Sequence, residues 1–197
     1  MSTRVKPLRA GDSPDPKVNE ILAGVEAGGW WADPAMFGTI GHRPELLKAI
    51  VPTFESFFAK GLVEPHIHEL MRLKTGQIND CTYCNAVRTQ SVKDSVQPKE
   101  HAMLEHQPEP SDVLTEREAV AIQLAERMAL DPHTVNARFW TKLTGVFSND
   151  EIVELVFASS TFNWGNKFNI TMQMDAAPDT EYLTPGMEYR EVELSSV

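Results

Sequence analysis

Two cysteines, Cys81 and Cys84, are the only ones in the chain, and they are spaced C-T-Y-C. Two thiols at that spacing can close a disulfide, share a metal, or activate each other as nucleophiles. If a helix begins at about Cys81, the two lie about 60° apart around its axis with a rise of about 4.5 Å. Their Cα atoms are then about 5 Å apart, within disulfide range. Arg88 follows Cys84 by four residues. On a continuing helix all three share one face, and the guanidinium would stabilise a thiolate, with Cys84 the nearer target. Glu69 precedes Cys81 by twelve residues. A carboxylate there could pass a proton to or from the thiol site.

Each residue also has a plainer reading. The cysteines can be inert core thiols. Zinc is a second alternative, because His66 and His68 precede the pair. Positions two apart on a helix, however, point about 200° apart, so both imidazoles reach one metal only if that helix starts later. Arg88 can be a solvated charge. Glu69 lies nearly opposite the apolar stripe Ile67, Leu70, Met71 and Ile78, so it can be a solvated carboxylate unless another element covers that side. Asn163, Asn166 and Asn169 recur every three residues and suit either a buried polar network or a helix end. Trp30, Trp31, Phe37, Trp164 and Phe168 can line a pocket or simply fill a core.

The elements that must position these groups read as helices throughout, so the expected fold class is all-α. A helix from Glu69 ends in a turn at Asp80, and A-V-R-T-Q-S-V-K-D after the cysteines reads as a second helix. A turn-to-helix junction exposes backbone N–H groups that favour a thiolate. Pro44, Pro65 and Pro98 read as helix starts. Pro52 is expected to kink or split the first of these helices, which carries Leu46, Leu47, Ile50, Phe54, Phe57 and Phe58 and ends at Gly61. Thr115 with Glu118, and Ser148 with Glu151, have capping-box spacing. Asp131–Pro132 fits an N-cap followed by a first-turn proline. The segment 149–174 is apolar around most of its early circumference and reads as a central buried helix.

The 197 residues suit one domain, with a polar, Pro-rich flexible arm over residues 1–16, a helical body over 17–175 and a tail over 176–197. Net charge is −10, from 28 acidic and 18 basic residues, with no basic face to suggest nucleic acid. No N-terminal h-region and no apolar run of membrane length occur, so a cytoplasmic chain with no membrane contact is expected. In that compartment a Cys-x-x-Cys is more often redox-active or metal-binding than a permanent staple.

The run E-L-M-R-L-K-T-G-Q-I-N-D-C-T-Y-C resembles the core of the alkylhydroperoxidase D-like / carboxymuconolactone decarboxylase family. L-T-E-R-E-A-V-A-I-Q-L-A-E (114–126), F-S-N-D-E-I-V-E-L-V (147–156) and N-W-G-N-K-F-N (163–169) resemble its later helices, and the resemblance spans about 42–175. It implies a compact all-α domain assembled as a trimer or a dimer of trimers. It also implies that Cys84 is the peroxidatic thiol, Cys81 the resolving thiol and Glu69 the relay carboxylate, with a hydroperoxide substrate, a dithiol reductant and no bound cofactor or metal. The family pattern Cys-x-x-Cys-x-x-x-His has Arg88 at its last position here, and arginine cannot serve as a general base. The decarboxylase branch needs no thiol pair, so C-T-Y-C favours redox chemistry. Alternatives are a cofactor-free lyase on a small carboxylated ring compound, with Arg88 or Arg72 binding the carboxylate, and a non-catalytic redox-sensing oligomer.

Overall fold

A computed structural model describes residues 3–28 and 35–174. Trp30, Trp31 and the expected tail lie outside them. The helices are α1 (Pro16–Gly28), α2 (Ala35–Ile40), α3 (Pro44–Phe58), α4 (Pro65–Ile78) and α5 (Thr82–Ala86). They continue as α6 (Lys93–Val96), α7 (Glu100–Leu104), α8 (Glu116–Leu130), α9 (Ala137–Thr144) and α10 (Asn149–Met172). Short 3₁₀ turns cover Gln90–Val92, Gln97–Lys99 and Pro132–Thr134, and the described residues contain no strand.

Local signals set most helix starts. Both capping boxes form: Thr115 and Ser148 accept from the backbone of Glu118 and Glu151, whose carboxylates return the bond. Pro44 and Pro65 occupy the first turns of α3 and α4. Asp131 caps only the turn Pro132–Thr134, and Asn136 caps α9 by accepting from Phe139 N–H at 3.1 Å. α3 runs through Pro52 as one helix. Val51, Phe54, Phe57 and Phe58 are buried on both sides of the proline, and that packing offsets the missing backbone bond. The stretch expected as a loose arm is hydrogen-bonded to the body: Arg4 N–H donates to Met172 O at 2.9 Å and Leu8 N–H to Gly38 O at 3.1 Å.

The centre of the molecule is α4, packed most extensively on α8 and then on α10. Every residue from Ile67 to Gln77 is buried, the polar ones included. Those polar groups are paired: His68 with Glu154 at 2.8 Å, Glu69 with Arg72 at 2.7 Å and Lys74 with Glu126 at 3.0 Å. Buried charges persist only with such partners. α10, expected as the buried central helix, lies at the surface instead: Val153, Phe157 and Trp164 are 70%, 50% and 42% exposed. Its apolar circumference meets the core on one side only, through Ile152, Leu155, Ala158 and Phe162.

Candidate active site

The cysteines sit where α4 turns into α5. Asp80 makes the reversal in the left-handed region (φ 50°), which short polar side chains tolerate best after glycine. Cys81 N–H then bonds back to Gly76 O at 3.0 Å. Gly76 lets the turn pack closely, since a Cβ there would lie 2.7 Å from Asn85 Oδ1 and 3.3 Å from Cys84 Cβ. Cys81 is the N-cap of α5, its sulfur accepting from Cys84 N–H at 3.3 Å. The two cysteines form a disulfide with Cα atoms 5.2 Å apart, as the i, i+3 geometry requires.

The helix ends sooner than the sequence suggests. α5 stops at Ala86 and Val87 is extended (φ −82°, ψ 138°), so Cys81, Cys84 and Arg88 do not share one helical face. Arg88 is buried, with Nε and Nη2 each 2.8 Å from Glu100 and Nη1 on the carbonyls of Asn85 and Val87. The cation lining the cavity beside Cys84 is Arg72. It donates from Nη1 to Cys84 O at 2.8 Å and from Nη2 to Val87 O at 2.6 Å. The two guanidinium groups thus clasp the carbonyls at the end of the cysteine helix, which a five-residue helix cannot satisfy internally.

Glu69 is fully buried rather than solvated. Its oxygens accept from Arg72 Nε and Nη2, both at 2.7 Å, and from Thr89 N–H at 2.9 Å and Oγ1 at 2.7 Å. Burial pushes its pKa up, but the Arg72 charge and these hydrogen bonds outweigh that and hold it below the usual carboxylate range. A carboxylate so satisfied is held ionised. His66 pairs with Glu118 at 3.0 Å and His68 with Glu154, so neither imidazole turns to the cysteines.

Cys84, Arg72, Tyr83, Phe54, Phe162 and Asn169 are among the residues lining a narrow cavity of about 20 Å³. Its walls also include Asn166. The asparagines of α10 do form a polar network: Asn79 Nδ2 lies 3.0 Å from both Asn163 Oδ1 and Asn166 Oδ1. Asn169 Nδ2 reaches Cys84 Sγ at 3.4 Å, across 85 residues of sequence. The three-residue recurrence was the only hint of this contact. Of the aromatic candidates, Phe37 is core. Trp164 and Phe168 stack 5.8 Å apart and line a separate surface groove of about 510 Å³ with Leu46, Ile50 and Met172.

No helix among the described residues is long and apolar enough to cross a membrane. No family model matches the chain, and no curated protein matches it. Solved structures do. A variant of the debrominase Bmp8 in complex with 2,3,4-tribromopyrrole superposes with a TM-score of 0.72 at 19% identity, covering 90% of this chain and 94% of that one. An uncharacterized peroxidase-related protein from Ralstonia eutropha JMP134, described as an alkylhydroperoxidase AhpD core, gives 0.70 at 18% identity, covering 90% and 94%. A peroxidase-related protein from Silicibacter sp. TM1040 gives 0.67 at 17%, covering 91% and 97%. The chain therefore has the all-helical fold of the alkylhydroperoxidase D-like proteins, with its cysteine pair at the junction of α4 and α5.

Proposed function

We propose that this protein is a thiol-dependent reductase of hydroperoxides that cycles between a Cys81/Cys84 dithiol and a disulfide. One observation carries the reading: Cys84 lines the cavity and Cys81, its disulfide partner, does not. The Cys84 thiolate attacks the terminal oxygen of ROOH; the O–O bond breaks, Cys84 becomes a sulfenic acid, and RO⁻ takes a proton to leave as ROH. The Cys81 thiol then attacks the Cys84 sulfur, expelling water and forming the disulfide. An external dithiol reduces it by exchange and leaves oxidised. Glu69 and Arg72 serve this cycle by holding α5 in place. Arg88 with Glu100 braces the same turn.

A second reading is favoured by the apolar walls of the cavity and by the fold shared with a debrominase. There the two thiols supply two electrons and a proton to a bromoarene, which leaves as the arene and bromide while the disulfide closes. The size of the cavity supports the first reading. About 20 Å³ beside the sulfur suits a small reacting group such as a terminal –OOH.

The experiment is hydroperoxide consumption with a dithiol donor, in parallel with bromide release from a bromopyrrole, for wild type and Cys84→Ser. Loss of peroxide consumption in Cys84→Ser supports the peroxidase. Undiminished consumption sinks it, and bromide release alone transfers the function to dehalogenation.

The protein also acts as a homo-oligomer in this reading. Val153, Phe157 and Trp164 follow one another on the outer side of α10, and such a stripe is costly to leave in water. Light scattering should report a trimer or larger; a 22.0 kDa particle would reject assembly.

A further inference from the structure

Among the α10 asparagines, none of which the proposed cycle uses, Asn169 is the one in contact with the reactive sulfur. Asn169 is 4% exposed and lines the same cavity as Cys84. Its two amide atoms are in different situations. Nδ2 lies 3.4 Å from Cys84 Sγ, while Oδ1 is buried and accepts no hydrogen bond. The neighbouring asparagines are not in that position, because the oxygens of Asn163 and Asn166 both take bonds from Asn79 Nδ2. A buried acceptor left open costs free energy, and native proteins retain few of them. Its location, in a cavity just large enough for one water-sized group, makes a ligand O–H the natural partner.

We propose that Asn169 is a substrate-positioning residue of this site, donating from Nδ2 to the Cys84 sulfur and accepting the hydroperoxide O–H at Oδ1. This rests on the peroxidase reading above. In ROOH the hydrogen is carried by the terminal oxygen, which is the atom the thiolate attacks. One amide spanning sulfur and that O–H sets the two reacting atoms side by side, which is how positioning lowers a bimolecular barrier. After attack, the same oxygen remains on Cys84 as S–OH, and Oδ1 keeps its hydrogen bond until Cys81 displaces the oxygen as water. Asn169 takes no proton in this cycle. It holds sulfur and oxygen in register, and it stands on α10, far along the chain from Cys81, Cys84, Glu69 and Arg88, the residues that sequence reasoning places in the site.

The test uses reduced full-length protein in single-turnover reactions, so no electron donor is involved. Two rates are read for wild type, Asn169→Ala and Asn169→Asp: alkylation of Cys84 by iodoacetamide across pH, assigned by mass spectrometry, and disulfide closure driven by tert-butyl hydroperoxide. Loss of the neutral hydrogen bond at Oδ1 corresponds to roughly 2- to 10-fold in rate. Asn169→Ala should slow peroxide-driven closure by that factor beyond any slowing of alkylation, because the contact to sulfur is lost from both reactions and the Oδ1 contact to the peroxide from closure alone. Asn169→Asp keeps an acceptor but replaces the donor with a negative charge, so its alkylation profile should move to higher pH. Equal slowing of the two reactions in Asn169→Ala would overturn substrate positioning, and an unmoved profile in Asn169→Asp would overturn the contact to sulfur. If the alanine variant does not fold, the aspartate variant still decides the second point, and Asn169→Leu, which removes the acceptor at nearly the same volume, replaces alanine for the first. Wild-type protein that alkylates normally but never closes its disulfide with peroxide refutes the peroxidase reading itself. That result is separable from the loss seen only in the variants.

Discussion

Glu69→Gln separates a structural clamp from a proton relay. In the wild type, Glu69 accepts four hydrogen bonds, two from Arg72 and two from Thr89, in a fully buried site. Glutamine keeps the shape but presents an NH₂ group to donors and leaves the Arg72 guanidinium without its counter-charge. Removing one partner of a buried ion pair costs about 3–5 kcal/mol. A domain of this size is stable by about 5–15 kcal/mol, so the variant should fold with a large part of its margin gone. At roughly 2–4 °C per kcal/mol, the melting midpoint should fall by about 6–20 °C. Arg72 also holds the carbonyls of Cys84 and Val87, so loosening it should disorder the cysteine turn as well. Urea unfolding of the oxidised protein, fitted with a common m-value, reads the loss directly. A loss below about 1 kcal/mol, within the range of an exposed pair, would refute the clamp. If that small loss came with abolished turnover, the relay role implied by the family resemblance would be restored.

Arg88→Ala should destabilise by about 3–5 kcal/mol, since it takes the guanidinium from buried Glu100, yet leave the pH profile of Cys84 alkylation unmoved. A profile shifted to higher pH would mean that the Arg88 charge does reach the thiol. Stability should also fall in acid. Burial pushes the pKa of His68 down despite the opposing pull of Glu154, and Glu69 is held below its usual range. In both cases the unfolded chain binds a proton more readily than the folded one, so stability rises with pH. The loss on acidification should begin as pH drops below 6.5, where an unfolded histidine titrates, and steepen below 4.5, the corresponding value for glutamate. Urea midpoints that stay flat from about pH 8 to about pH 5 would contradict the His68 part.

The helical class, both capping boxes, the starts of α3 at Pro44 and α4 at Pro65, and the disulfide-compatible spacing of Cys81 and Cys84 were legible in the sequence, whereas Pro98 and Pro132 begin or enter only short 3₁₀ turns. Each depends on residues within about one helical turn of one another, so chain connectivity alone brings the groups together. The expectations that the structure revised are of another kind. Arg88 was placed on the thiol face because A-V-R-T-Q-S-V-K-D has no obvious breaker, and only the packing of Val87 and Arg88 against the body shows that the helix ends at Ala86. Glu69 could be read as exposed from its own helix, because a partner that meets it lies outside that helix: Thr89 donates to it from its backbone and its hydroxyl. α10 looked buried because its apolar circumference carries no record of which side meets the core. Ion pairs such as Arg88 with Glu100, and the reach of Asn169 to Cys84, are settled only when separate helices dock. Local hydrogen-bond satisfaction is written in neighbouring residues. Burial, and the partner that makes burial of a charge tolerable, exist only in the folded chain.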